Sequence, residues 1–161
     1  MENRFNLYSA IREKSNYTAE DLPGFNETEF NNLVIRSLNL DDLISVKSRY
    51  SHVEFNGTSL YSAYFVQTSF QECIFQNVDF TKSNLNNTSF TLCSFISCSF
   101  ASAEIMGAEI TACSFRKCNF KDIIFCDNII HDTQFEITDH SFSVINDNTE
   151  KNVVWLFDQK I

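Results

Sequence analysis

Large apolar residues occupy every fifth position from Tyr50 to Phe135, eighteen positions without an exception. The run is Tyr50, Phe55, Leu60, Phe65, Phe70, Phe75, Phe80, Leu85, Phe90, Phe95, Phe100, Ile105, Ile110, Phe115, Phe120, Phe125, Ile130 and Phe135. Two residues before each lies a small or β-branched side chain, as at Val53, Thr58, Ala63, Thr68, Cys73 and Val78; Ile123 and Asn128 are the clear departures. An amphipathic helix repeats its apolar positions at i, i+3, i+4 and i+7, and a half-buried strand repeats at two. A period of five fits neither, and a short repeat held this long predicts a stacked-repeat architecture.

The units, such as Cys-Ser-Phe-Ile-Ser at 93–97 and Cys-Asn-Phe-Lys-Asp at 118–122, resemble those of the pentapeptide-repeat family. The resemblance implies an all-β fold, a right-handed quadrilateral parallel β-helix with one pentapeptide on each face and about twenty residues per coil. Both the large and the small residue of each unit then point inward, and coils stack about 4.8 Å apart. The phase extends back through Phe30, Ile35 and Leu40, with Ser45 the single exception. The solenoid is therefore expected over 30–135, about five coils and about 25 Å of rod. Leucines at 33, 38 and 43 fill the small positions there and predict a wider or irregular first coil. Residues twenty apart should stack, giving the ladders Phe55, Phe75, Phe95, Phe115, Phe135 and Leu60, Phe80, Phe100, Phe120. Twelve of the seventeen phenylalanines lie in this register, so the aromatic excess is a core rather than a nucleic-acid stacking platform.

A stacked coil leaves its first and last strands unpaired, and both ends need a cover. Residues 1–29 are expected to form an N-terminal cap, partly helical because Phe5, Tyr8 and Ile11 fall at helical spacing. Residues 136–161 are expected to form a C-terminal cap or a homodimer contact, with Val154, Trp155 and Phe157 the candidate residues. The dimer alternative follows from the resemblance, because some bacterial family members pair through their C-terminal ends. At 161 residues one domain is expected. No basic-plus-apolar leader and no bilayer-length apolar run is visible, so a cytoplasmic location is the default; an effector exported by dedicated machinery would look the same.

Candidate chemistry is sparse. The spacing of Cys93, Cys98, Cys113 and Cys118 superficially resembles a zinc site. The repeat instead makes Cys73, Cys93 and Cys113 one inward ladder and Cys98 with Cys118 another, where thiols act as small hydrophobes. Parallel ladders do not converge tetrahedrally, so no metal is expected, nor are disulfides. Cys126 falls outside the small position and is the thiol expected to react. His52, His131 and His140 have no nucleophile at a recognisable spacing, and three glycines do not make a phosphate loop. The expectation is a non-enzymatic protein with no cofactor. Asn128, in an inward position, predicts a bulge near 126–131.

The formal net charge of −9 disfavours direct binding of nucleic acid. The family resemblance implies a protein partner, whether as an effector or scaffold or as immunity to a toxin. Some bacterial members bind DNA gyrase or topoisomerase IV as acidic mimics of a DNA duplex, giving resistance or immunity. Glu104, Glu109, Asp122, Asp127 and Asp132 are the candidate acidic surface, although no two of the acids between Tyr50 and Phe135 lie twenty residues apart. An inserted loop of the kind carried by quinolone-protecting members is missing from the register. A competing surface lies on the face centred on Phe65, Leu85, Ile105 and Phe125, where Tyr64, Val66, Met106, Ile124 and Cys126 form a candidate partner-docking strip interrupted by Asn84, Asn86 and Glu104.

Overall fold

A computed structural model describes residues 25–158. Within them the chain winds as an all-β solenoid of about six turns. Its fifteen short strands run from β1 (Glu29–Arg36) and β2 (Arg49–Asn56) to β13 (Val144–Asn146), β14 (Thr149–Lys151) and β15 (Val154–Phe157). Every paired strand is parallel to its neighbour, and partners are twenty residues apart, as in Phe55 with Phe75 and Phe75 with Phe95. The third face is joined by single bridges, Asn39–Ser59–Asp79–Ser99–Asn119, and the fourth by Ile44–Tyr64–Asn84–Glu104 before regular strands begin. Among the described residues there is no helix long and apolar enough to cross a membrane.

The four faces turn at corners with one recurring backbone state. The residue two after each central position, from Glu27 to Asn152, has φ between 50° and 64° in every unit but one. Ala63, Ser83 and Ala103 donate their N–H to the carbonyls of Leu60, Phe80 and Phe100, three residues back, around Ser62, Lys82 and Ser102. This is the bonding and positive φ of a type II turn. Left-handed φ is costly for side chains branched at Cβ, and no Val, Ile or Thr takes any of these corners. The exception is position 137, where Ile137 folds inward to complete burial and Thr138 moves outward. Strand β12 (Gln134–Asp139) accordingly slips against β9 (Ser114–Asn119), Ile137 pairing with Cys118, and regains register at Asp139 with Asn119.

Stacked rings fill the axis. On the second face, Phe75, Phe95, Phe115 and Phe135 stack at 4.7, 4.3 and 4.6 Å between ring centres, their planes nearly parallel, and Trp155 continues the column 3.9 Å above Phe135. The third-face ladder is regular only to Phe100. Phe120 is turned 78° to it and leans towards Phe125 and Phe135. The next residue of that column is the exposed His140, which offers no apolar ring to stack on, and an edge-on arrangement is as favourable as a stacked one.

The ends differ from the expected boundaries. The coil path already includes Phe25, whose N–H donates to Ile44 O, and residues 1–24, the body of the expected helical cap, lie outside the described residues. The first coil is not irregular where it pairs: β1 meets β2 in the common register from Glu29–Arg49 to Arg36–Asn56. At the other end the winding does not stop at Phe135. β13 pairs with β10 (Ile124–Cys126), β14 with β11 (Ile129–His131) and β15 with β12, all in the twenty-residue register. Backbone pairing and polar corners carry the coil one turn beyond the apolar repeat, so 136–158 is a further coil whose centres are His140, Ile145, Glu150 and Trp155.

Candidate interaction surfaces

The small inward position has a second function beyond size. Where a Thr or Cys fills it between Thr58 and Cys118, the side chain donates to the carbonyl of the central residue twenty-three positions earlier, one face back in the coil below, whereas Ser83 Oγ finds no partner. Thr88 Oγ1 reaches Phe65 O at 2.9 Å, Cys93 Sγ reaches Phe70 O at 3.3 Å and Cys98 Sγ reaches Phe75 O at 3.3 Å. Asn128 obeys the same rule: its Nδ2 donates to Ile105 O at 3.0 Å while its Oδ1 accepts the Ala108 N–H at 2.9 Å. Asn148 repeats this one coil higher, bonding Phe125 O and the Asn128 N–H. The asparagine needs no bulge because its amide is satisfied in place, and 126–131 is regular. The irregularity sits at 135–139, where Ile137 occupies a corner position without the left-handed φ of the others.

The five inward cysteines are buried free thiols stacked as two ladders. Cys73 and Cys93 are shifted upwards, first through hydrogen bonding along the ladder. Cys126 is only half-buried, but it is not an activated thiol. Partial desolvation and the carboxylates of Asp127 and Asp147 raise its pKa, disfavouring the reactive thiolate. Among the histidines, His52 Nδ1 lies 3.4 Å from Glu72 and the His140 ring packs 4.5 Å from Phe157.

The candidate acids do not form one patch. Glu104 is on the fourth face and Glu109 on the first, while Asp122, Asp127 and Asp132 take three different corners with φ of 56°, 57° and 50°. Asp132 accepts from Asn152 Nδ2 at 2.8 Å. Sequence reasoning confined to the apolar repeat missed the last coil, where Asp147 lies one turn above Asp127. Counting through that coil also shows a gradient: residues 122–158 hold eight carboxylates against Lys151 alone.

The docking strip is brought together on the fourth face and is longer than the repeat alone indicated. Ile44, Tyr64, Asn84, Glu104, Ile124 and Val144 stack as consecutive partners in one column. Val66, Asn86, Met106 and Cys126 are half-buried in the column beside it. Exposure in the first column reaches 50% at Ile44 and 48% at Val144. At mid-strip, Asn84 Nδ2 and Asn86 Nδ2 each donate to Glu104 Oε2 at 3.3 Å.

At the C-terminal end, Trp155 is half-buried on Phe135 and donates its indole N–H to the Glu150 carboxylate at 3.1 Å. Val154 and Phe157 are exposed beside it, with Leu156 and a strongly exposed Phe142. Strands β14 and β15 are the edges of their sheet, so among the described residues this end presents open backbone around an apolar centre.

A family model described as pentapeptide repeats matches residues 73–111 in eight copies. No curated protein sequence matches the chain. Among solved structures, a trypsin-treated variant of QnrB1, a plasmid-mediated fluoroquinolone resistance protein, superposes with a TM-score of 0.63 at 15% identity, covering 80% of this chain and 70% of that one. Full-length QnrB1 superposes with a TM-score of 0.53 at 13% identity, covering 81% and 94%. Rfr23, a pentapeptide repeat protein of the cyanobacterium Cyanothece 51142, covers 93% and 97% at 12% identity with a TM-score of 0.49. At 15% and 13% identity the likeness to the two QnrB1 structures is one of fold.

Proposed function

As this chain is a pentapeptide-repeat protein, wound as a quadrilateral β-helix, we propose that it works as a protein-binding rod with no catalytic chemistry of its own. The observation that carries this reading is the fourth-face column, in which exposed Ile44, Tyr64, Ile124 and Val144 flank a carboxylate held by two amides. Apolar side chains gathered on one flat face of a molecule whose core is already filled by rings are what a partner surface requires. An effector, scaffold or toxin-immunity role is of this kind. Affinity capture from a bacterial lysate at low and high salt tests it: a partner retained at high salt supports apolar docking, and no specific partner under any condition overturns it.

The charge gradient favours a second reading. The C-terminal third, with Asp122, Asp127, Asp132 and Asp147 at its corners, is a rod of negative charge suited to a basic, DNA-binding groove. QnrB1, a fluoroquinolone resistance protein, shares the fold, and DNA gyrase or topoisomerase IV is the natural candidate target. Binding to gyrase at low salt that is lost at high salt, and weakened by Asp122→Asn with Asp127→Asn, supports this reading. Salt-insensitive binding, or none, removes it. Homodimerisation through the Trp155 end would lengthen the rod and is compatible with either role.

A further inference from the structure

The fourth face is about one helix wide. Its strands are three residues long, roughly 10 Å of flat surface, against a helix diameter of roughly 10–12 Å. Five coil steps separate Ile44 from Val144, about 24 Å along the axis, the length of a helix of about sixteen residues. The strands lie across the axis with their backbone groups bonded to the coils above and below. A partner strand therefore finds no free ladder on this face, and contact must be made by side chains.

The middle of the strip decides what kind of side chains. Both amide bonds to Glu104 fall on Oε2, and among the described residues Oε1 has no donor. Covering this carboxylate with an apolar surface would strip its water without replacing it, a cost that removes purely apolar occupants. A cation placed there is rewarded, and the amides already fix the carboxylate in position. We propose that this face receives one amphipathic helix of a partner protein, laid along the rod axis, apolar at both ends of its contact stripe and carrying a single Lys or Arg at its centre opposite Glu104. Tyr64 with Val66 grips one end of the helix, Ile124 with Val144 grips the other, and Met106 lies level with Glu104 beside the central contact. This rests on the protein-binding reading above and adds the chemistry of the partner, including its selectivity against helices with a central acid.

The test uses the full-length protein and two synthetic eighteen-residue helical peptides with leucines at both ends of one stripe, differing only in a central Lys or Glu. Fluorescence anisotropy should show the Lys peptide binding at least about tenfold more tightly than the Glu peptide, a preference that Glu104→Lys reverses. Tyr64→Ser with Ile124→Ser should weaken the Lys peptide about tenfold or more with the thermal unfolding profile retained. Equal binding of the two peptides, an order unchanged by Glu104→Lys, or no binding of either overturns the inference. The lysate capture separates the two levels: a partner held equally by wild type and by the Tyr64→Ser, Ile124→Ser variant overturns the helix site and leaves the binding rod standing, whereas no partner for wild type removes both.

Discussion

The Ser45 hydroxyl lies 2.7 Å from the phenol oxygen of Tyr50, both fully buried where the first coil passes into the second. The two exceptions in the repeat thus explain each other. Ser45 is the only polar central residue between Phe25 and Phe135, and Tyr50 is the only central ring there that carries a hydroxyl. The serine gives up the volume that the longer ring occupies and supplies a partner for its oxygen. Removing one member should therefore cost more than removing both. Ser45→Ala is expected to destabilise by about 1–3 kcal/mol, with Tyr50→Phe added recovering part of the loss in denaturant unfolding. Burial also raises the Tyr50 pKa above its ordinary 10.0. The stabilisation is then fully present below that value and is lost progressively as pH rises from it through the higher folded value, because the unfolded tyrosine ionises first. The Tyr50→Phe variant should show a flatter alkaline limb in stability against pH.

Asn128 is an inward amide that completes two hydrogen bonds across coils. Asn128→Leu removes both and leaves Ala108 N–H and Ile105 O without their buried partners, so a loss of about 2–4 kcal/mol is expected from chemical denaturation. Asn128→Thr keeps a donor in the position that Thr88 fills two coils below and should lose less. Equal losses for the two variants would show that volume, not hydrogen bonding, sets the choice here.

Cys126 should be the one thiol alkylated by iodoacetamide in the folded protein, the other five being buried. Its raised pKa makes it slower than free cysteine at neutral pH, with a rate midpoint displaced upwards. Asp127→Asn with Asp147→Asn should lower that midpoint, as peptide mass mapping across a pH series would show. Faster labelling of Cys126 than of free cysteine would contradict the electrostatics of this corner.

The open C-terminal end predicts self-association. Sedimentation equilibrium should find a dimer that Val154→Glu with Phe157→Glu disperses, while far-UV circular dichroism stays unchanged because both residues are exposed. A wild-type monomer at high concentration would leave the end as a free apolar surface and rule out the dimer.

The central residues and their stacking were legible in the sequence because each is a large apolar side chain, and their period alone fixes which ones meet. The corners were equally written there and went unread. Every position two after a centre avoids β-branched residues until Ile137, so the slip in β12 could have been located from that column. The extent of the winding was not legible from apolar residues, because Glu150 and His140 follow the coil by backbone pairing and lend nothing to the core. Asn128 looked like a defect when the inward position was taken to demand smallness; the carbonyl twenty-three residues before it shows that a short donor suits it as well. The strip was legible in Tyr64, Val66, Met106, Ile124 and Cys126, but its reach to Ile44 and Val144 depended on coils outside the perfect repeat.

Because each coil takes twenty residues whatever its sequence, the rod behaves as a graduated ruler. Its length changes only in whole divisions of about 4.8 Å, by gain or loss of twenty residues at a time. An excision of that size between Tyr50 and Phe135 re-forms every ladder with the next rung, and one of nineteen or twenty-one drives polar corner residues into the axis. The spacing between any two side chains in one column is therefore set by coil count, and a partner gripping the fourth face at two points is measuring whole turns of chain.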